Sequence, residues 1–289
     1  MSDREPVDEP RAVAIALTKG GVGKTAMAIN LADRLEERGR TLLVDIDPAG
    51  NATEGVGHPE AYDHEDHIGL YLQRAANAAD GEPVDPSLDD IIIEREGFDL
   101  IPSNIDLSTT ESVIDAENRF AILVIKQQLL DIVLGDRYDY VVFDTPGDSD
   151  SLFREAAIYG AGNVIVPMTP AEESVRGFET LLRTEIVPAR EHTDVDIISI
   201  VPNEMLSDNE SRWLVDELNE SFGDLLPPFA HPSLFDDADA TDPGIRQRIA
   251  FKRAWREGVP LSEYDPESDM LDRLDELAEI VVRGGIDGE

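Results

Sequence analysis

Cysteine is absent from this chain of 289 residues. Its absence excludes disulfides, thiolate metal sites, iron–sulfur clusters and cysteine nucleophiles. Long apolar runs are also absent, since none approaches the ~20 residues that a membrane-spanning helix needs. The acidic, polar residues 1–10 do not fit a secretory signal. We therefore expect a cytoplasmic protein that does not bind a membrane.

Positive charge is scarce. The chain has 24 lysines and arginines against 62 acidic residues, a net charge of −38, and four of the basic residues are lysines. With 41% hydrophobic residues in periodic patterns, this charge does not indicate disorder. The composition predicts a halophilic protein, because molar salt shortens the Debye length to ~3 Å and screens self-repulsion. A protein that avoids nucleic acid is the alternative.

The beginning of the chain predicts a strand–turn–helix–strand unit. Residues 12–18 form a short apolar run, a glycine-rich turn follows at 19–25, and residues 26–38 have helical spacing. A second apolar strand is predicted at 41–44. This order opens an α/β fold of the P-loop NTPase type, with a doubly wound, mostly parallel sheet flanked by helices.

Further apolar and amphipathic segments extend this pattern along the chain. We predict one domain, residues 12–283, between a disordered acidic arm (1–11) and a flexible tail (284–289). Strands are predicted at 98–101, 138–144, 163–167 and 196–201, and helices at 68–79, 119–134, 151–159, 171–187, 209–222, 243–257 and 268–282.

The glycine-rich turn reads Thr18-Lys19-Gly20-Gly21-Val22-Gly23-Lys24-Thr25. Glycines let the backbone aim successive N–H groups at phosphate oxygens, and the following helix adds its positive end. In such a loop Lys24 reaches the β- and γ-phosphates and the Thr25 hydroxyl holds Mg²⁺. Thr18 replaces the first glycine of the usual pattern, and Lys19 adds a second cation. The sequence therefore predicts a nucleoside triphosphate site.

Three aspartates follow predicted strands. Asp45 and Asp47 end the second strand, and Asp144 ends the apolar run at 138–144. In open α/β sheets, ligands bind outside the carboxyl ends of the strands, so these carboxylates should face the phosphate site. There they can orient the attacking water or hold Mg²⁺ through water.

These elements together resemble the ParA/MinD superfamily of deviant Walker A ATPases, and within it the Soj-like ParA partition ATPases. The resemblance covers residues 11–282. Its landmarks are KGGVGKT (19–25), DIDPAGNAT (45–53), DLIPSN (99–104), YDYVVFDTPG (138–147), VIVPMTP (164–170) and GVPLSEYDPES (258–268).

The resemblance implies an ATPase of weak turnover that uses ATP and Mg²⁺ and forms a homodimer with ATP. Lys19 then reaches the partner's phosphates and Asp47 polarises the attacking water, so the implied catalytic residues are Lys19, Lys24 and Asp47. The implied metal residues are Thr25, Asp45 and Asp144, and Asn203 is an implied base contact. The full nucleotide set is Lys19, Gly20, Gly21, Val22, Gly23, Lys24, Thr25, Ala26 and Asn203.

Three positions depart from the family pattern. The family usually has glutamine where this chain has Ala49, often proline where it has Gly147, and frequently threonine where it has Ala26. The acidic end of the chain, residues 274–289, also differs from the basic amphipathic helix of membrane-bound MinD proteins.

One window of the acidic chain has no acid. Residues 246–256 carry Arg246, Arg248, Lys252, Arg253 and Arg256. The resemblance implies non-specific DNA binding by the ATP dimer. Since phosphate contacts supply nearly all sequence-independent DNA affinity, such binding needs a cationic surface, and this window is the candidate for it. The resemblance adds a ParB-like partner, nucleoid association and a role in chromosome or plasmid partition. The alternative for the window is a helix whose arginines pair with nearby carboxylates.

Two other functions stay open. The first is an ATPase of the same fold that positions a protein cargo instead of DNA. The second is an ATP-dependent carboxylate ligase of the wider fold, for which we find no additional substrate motif.

Overall fold

The structure, a computed structural model, describes residues 9–79, 82–118, 120–148, 150–237 and 241–288. These residues contain one six-stranded, all-parallel sheet with the strand order β3-β2-β4-β1-β5-β6. The strands are β1 Arg11–Ile15, β2 Thr41–Asp45, β3 Asp99–Ile101, β4 Tyr140–Asp144, β5 Asn163–Met168 and β6 Asp196–Pro202. The predicted α/β fold class is therefore confirmed.

Helices flank the sheet and connect its strands. The α-helices are α1 Lys24–Glu36, α2 Asn51–Gly55, α3 Ile68–Asn77, α4 Leu88–Ile91, α5 Leu107–Glu117, α6 Asp131–Val133, α7 Leu152–Ala161, α8 Glu172–Leu181, α9 Val187–Arg190, α10 Asn209–Phe222, α11 Ile249–Glu257, α12 Leu261–Tyr264 and α13 Leu271–Arg283. Short 3-10 turns lie at Pro59–Asp63, Ala121–Leu123, Gly223–Leu225, Pro228–Ala230 and Pro232–Phe235. No described helix has the length and apolar character needed to cross a membrane.

Two of the predicted helices contain a widened turn. The predicted helix at 119–134 has a π-helical stretch at Lys126–Leu130 before α6, and Arg119 lies outside the described residues. The predicted helix at 171–187 has a second one at Leu182–Ile186, between α8 and α9. Such inserted turns re-aim side chains, and Glu185 in the second one is buried.

The predicted helix at 243–257 was wrong in its first six residues, because α11 begins at Ile249. Residues 244–247 instead lie beside the chain that follows β6. Ile245 donates its N–H to Pro202 O (2.8 Å), and Gln247 donates to Met205 O (3.0 Å). These backbone donors are therefore not available to a helix.

The core lies on both faces of the sheet. Strands β2 and β4 are buried along their whole length, as parallel strands covered on both faces are. Helix α1 packs against β4, β2 and α13, while α7 packs against β1 and β5. Most of the predicted arm lies outside the described residues, and β1 already begins at Arg11. The predicted domain bounds stay predictions.

Candidate functional site

The loop after β1 forms a cradle of backbone amides. Gly21 and Gly23 have φ angles of 73° and 85°, which side-chain-bearing residues rarely adopt. A Cβ on Gly23 would also lie 2.1 Å from the Asn203 amide nitrogen. Helix α1 begins directly after, at Lys24, so its unpaired N–H groups and positive end face the loop. Anions bind to such an arrangement of backbone N–H groups at the start of a helix.

Lys24 is buried at the base of this loop, with 6% of the residue exposed. Its ammonium group donates to Lys19 O (2.8 Å) and Leu17 O (3.4 Å). Burial lowers the pKa of Lys24, and the carboxylates of Asp144 and Asp47 oppose that shift. The two carbonyl oxygens carry no net charge, so they do not neutralise the buried ammonium group. A phosphate bound in the loop would provide the negative charge that balances it.

Asp144 and Thr25 form the second part of the site. The Thr25 hydroxyl donates to Asp144 Oδ2 (2.8 Å), while Asp144 Oδ1 is buried with no hydrogen-bond partner. Burial raises the pKa of Asp144, and nearby Asp45 raises it further. A buried carboxylate oxygen without a donor fits a site completed by the water shell of Mg²⁺, which prefers oxygen ligands.

Asp45 has a different surrounding although it lies beside Asp144 in the sheet register. Its Oδ2 accepts from the backbone N–H and the hydroxyl of Thr53 (both 2.8 Å), and its Oδ1 accepts from Asp47 N (3.2 Å). Burial raises the pKa of Asp45 to about 7. Both oxygens thus already have protein donors, so Asp45 holds α2 in place whether or not a metal is near.

Asp47 is half-buried and lines the same cavity as the loop. Its Oδ1 accepts from Ala49 N (2.9 Å), and the Ser103 hydroxyl donates to Asp47 O (2.6 Å). Ala49 is exposed and contributes its backbone N–H to this turn. The turn therefore forms without the family's glutamine.

Gly147 explains the second departure from the family pattern. A Cβ at this position would lie 3.0 Å from Gly20 N and 3.1 Å from Lys19 O, tighter than nearly all real contacts. The loop after β4 thus approaches the phosphate loop closely because residue 147 has no side chain.

Arg154 fixes the other side of this loop, a residue that sequence reasoning missed. Its guanidinium is fully buried and pairs with Glu185 (2.5 Å). It also donates to Pro146 O (3.3 Å) and Asp148 O. A single arginine within the apolar residues of α7 was the available signal, but its partner lies 31 residues away.

Lys19 does not turn back into its own loop. Its ammonium group lies 3.5 Å from Ser174 Oγ and 4.0 Å from a Glu173 oxygen, at the start of α8. Gly177 lets this helix approach, since a Cβ there would lie 2.9 Å from Thr18 O. The charge of Lys19 is therefore held at the rim of the site.

The site opens into a cavity of about 610 Å³. Its lining includes residues of the phosphate loop, Asp47 and Asn51, together with Asn203, Glu204 and residues of 245–256. The Asn203 amide donates to Val22 O (2.8 Å), so its carbonyl oxygen remains as an acceptor. Glu204 has a φ of 55°, a strained conformation for a residue other than glycine, and such strain concentrates at functional sites.

The structure divides the basic window into two groups. Arg246 pairs with Asp242 (3.4 Å) and Arg248 pairs with Asp269, and both arginines lie outside α11. The residues of the second group, Lys252, Arg253 and Arg256, are exposed on α11 and form no ion pair within the described ranges. We call these three the α11 cations; Lys252 and Arg256 line the cavity.

Comparison with known proteins places this geometry in a family. A family model described as an AAA domain matches residues 10–197. The chain is 29% identical to the sporulation initiation inhibitor protein Soj of Bacillus subtilis, over 94% of this chain and 98% of that protein. It is 35% identical to the chromosome-partitioning ATPase Soj of Thermus thermophilus, over 60% of this chain and 61% of that one.

Solved structures agree on the fold. An ATP complex of McdA from Cyanothece matches with a TM-score of 0.72 at 20% identity, over 96% of this chain and 97% of that chain. Cobyrinic acid a,c-diamide synthase from Mycobacterium smegmatis, with bound ADP and magnesium, matches with a TM-score of 0.65 at 25% identity. That match covers 86% of this chain and 91% of the synthase.

Proposed function

The chain belongs to the ParA/MinD superfamily of P-loop ATPases, Soj-like within it, and on that premise we propose that it binds Mg²⁺–ATP in the cavity after β1. The observation that carries this proposal is the pair of incomplete buried charges at the loop. Lys24 has carbonyl partners alone, and Asp144 Oδ1 has none. A bound triphosphate with a hydrated magnesium ion completes both.

Each residue of the site has a separate task in this proposal. The amides of residues 20–25 and the ammonium group of Lys24 bind the β- and γ-phosphates. Thr25 and Asp144 hold the hydrated Mg²⁺, which supplies charge neutralisation at the phosphates. Asp47, which lines the same cavity as the loop, orients the attacking water. Asp45 holds the Asp47 turn and α2 in position.

We propose further that two copies dimerise through the terminal phosphate of the bound nucleotide. Since Lys19 lies at the rim of the site, it is placed to reach the phosphates of a second copy across the cavity mouth. Two copies then face each other with two nucleotides between them, and hydrolysis separates them. Weak intrinsic turnover is part of the proposal because the resemblance to the family implies it.

The α11 cations are the proposed DNA contact. Dimerisation places two sets of three unpaired cations on one particle, which raises the number of phosphates it can neutralise. Two of them, Lys252 and Arg256, line the nucleotide cavity, so the proposed DNA contact lies next to the proposed ATP site. With a ParB-like partner stimulating turnover, this is a DNA-partition cycle in the cytoplasm on the nucleoid.

Light scattering with saturating nucleotide tests the proposal. With an Asp47→Asn variant, which keeps the turn but slows hydrolysis, Mg²⁺–ATP should double the particle mass and Mg²⁺–ADP should not. Lys24→Ala should remain a single copy with both nucleotides. A single-copy mass for Asp47→Asn at saturating Mg²⁺–ATP would refute the dimer.

A second candidate is the positioning of a protein cargo. The net charge of −38 favours it, because an acidic surface repels the phosphate backbone of DNA. Replacement of the three α11 cations by glutamate distinguishes the two functions, because they predict different results. DNA partition predicts that DNA binding and localisation are lost, whereas cargo positioning on a protein scaffold predicts that localisation is unchanged.

A further inference from the structure

Helices α2 and α11 are in unusually close contact. The indole N–H of Trp255 on α11 donates to Asn51 O of α2 (2.9 Å). A Cβ on Gly55 would lie 2.3 Å from Trp255 Cδ1, and one on Gly258 would lie 2.7 Å from Gly57 Cα. The two helices are therefore joined by one hydrogen bond and by two close contacts, each of which requires glycine. We infer that a displacement of one helix is transmitted to the other.

The same short helix is attached to the nucleotide site at its other side. Thr53, in the middle of α2, donates its N–H and its hydroxyl to Asp45 Oδ2 (both 2.8 Å). Ser103 links the two parts, since its N–H donates to Thr53 Oγ1 (2.9 Å) and its hydroxyl to Asp47 O (2.6 Å). The position of α2 is thus set by the turn that carries Asp47.

The three α11 cations lie on the same helix as Trp255, within one turn of it. Trp255 is half-buried and directly precedes Arg256, one of the α11 cations, while Lys252 and Arg253 lie within the preceding turn. Because α11 has nine residues, a displacement at Trp255 moves the three charges together.

We propose that Trp255 is a positioning residue that couples the nucleotide state of the Asp45–Asp47 turn to the orientation of the α11 cations. Binding of a triphosphate rearranges the turn, the turn moves α2 through Thr53, and α2 moves α11 through Trp255. The inference rests on the proposed function and adds the route by which ATP controls the cationic surface.

Fluorescence tests the coupling without DNA. The chain has two tryptophans, so a Trp213→Phe variant reports on Trp255 alone. Trp213 is an exposed residue of α10, far in sequence from the connection. We expect the Trp255 emission to change with a non-hydrolysable Mg²⁺–ATP analogue and to stay at its nucleotide-free value with Mg²⁺–ADP. Equal emission in all three states overturns the coupling.

A second experiment removes the connecting hydrogen bond. Trp255→Phe keeps an aromatic ring against Gly55 but loses the donor to Asn51 O. At saturating nucleotide, the ratio of duplex-DNA affinity with the ATP analogue to that with ADP should fall by at least about fivefold, the lower end of typical coupling strengths. Trp213→Phe makes the same chemical change on α10 and should keep the wild-type ratio. A wild-type ratio in Trp255→Phe overturns the proposal.

The two experiments separate the inference from the proposed function. If wild-type DNA affinity is the same with the ATP analogue and with ADP, the DNA function fails. The Trp255 emission still decides whether the nucleotide site moves α11. If DNA affinity depends on nucleotide but Trp255→Phe and the emission show no effect, the DNA function stands and Trp255 has no part in it.

Discussion

Two groups of cations near the nucleotide cavity contrast with each other. Lys24 and Arg154 lie at the carboxyl end of the sheet, buried, and bond to carbonyl oxygens or to one buried carboxylate. The α11 cations are exposed and have no ion pair in the described structure. Both regions border the nucleotide cavity or the loop beside it.

The difference between the two groups shows that a single buried charge can have a large effect, whereas exposed charges have an effect as a group. A buried cation acts alone, because its interaction free energy depends on a few partners at fixed positions and the loss of one partner leaves a buried charge unpaired. An exposed cation in water contributes little singly, and a surface becomes useful when several such charges share one face. Substitutions in the two regions should therefore differ in size and in the property that they change.

The largest expected effect comes from the buried pair. Arg154→Met leaves the Glu185 carboxylate without its partner and should lower the free energy of unfolding by about 3–5 kcal/mol. Arg154→Met with Glu185→Leu should recover most of that loss, since no buried charge remains. Chemical denaturation of the three proteins measures this. If the double variant is as unstable as the single one, the carbonyl contacts rather than the ion pair stabilise the loop.

Lys24→Ala is next, and it changes binding instead of folding. Removal of the ammonium group should weaken Mg²⁺–ATP binding roughly 100-fold, as for a charge-assisted bond to phosphate. Lys126→Ala is the matched control, because Lys126 pairs with Asp131 on the surface. Calorimetry should show wild-type affinity for the control. Wild-type affinity in Lys24→Ala would remove the buried cation from the nucleotide site.

Replacement of the three α11 cations by glutamine should act on DNA affinity and its salt dependence. Each DNA phosphate that the protein no longer neutralises lowers the slope of log affinity against log salt by about one, so the slope should fall by roughly three per chain. Fluorescence anisotropy of labelled duplex at several KCl concentrations measures it. An unchanged slope means that α11 does not contact DNA.

Arg248→Gln should have the smallest effect. Its guanidinium already pairs with Asp269, an exposed ion pair whose contribution to stability is at most about 1 kcal/mol. Both the unfolding midpoint and the DNA salt slope should stay near wild type. A drop in slope as large as one from this substitution would show that the paired arginine exchanges Asp269 for DNA phosphate.

The sequence predicts the strands and the phosphate loop well because both are local patterns. Apolar runs identify the six strands to within a few residues, and the glycines with Lys24 and Thr25 identify the loop. Helix α5 was not predicted from the sequence. About one residue per turn of this helix is buried, namely Leu107, Thr110 and Ile114, and one of these is polar, so the apolar pattern is weak.

Long-range contacts account for what the sequence does not predict. Backbone hydrogen bonds between 244–247 and the chain at the end of β6 make α11 begin later than predicted. Arg246 and Arg248 therefore lie outside the helix that carries the α11 cations. Likewise, both oxygens of Asp45 are bonded whereas Asp144 keeps a free one, although each aspartate ends an apolar strand. No spacing pattern along the chain contains that information.

Control of the α11 cations by the nucleotide in the cavity is the central claim. Titration of labelled duplex DNA with the wild-type protein, at one KCl concentration, with a Mg²⁺–ATP analogue and with Mg²⁺–ADP tests it most directly. We expect affinity at least about tenfold higher with the triphosphate, within the usual range of coupling between sites. Equal affinities in the two nucleotide states would contradict the claim.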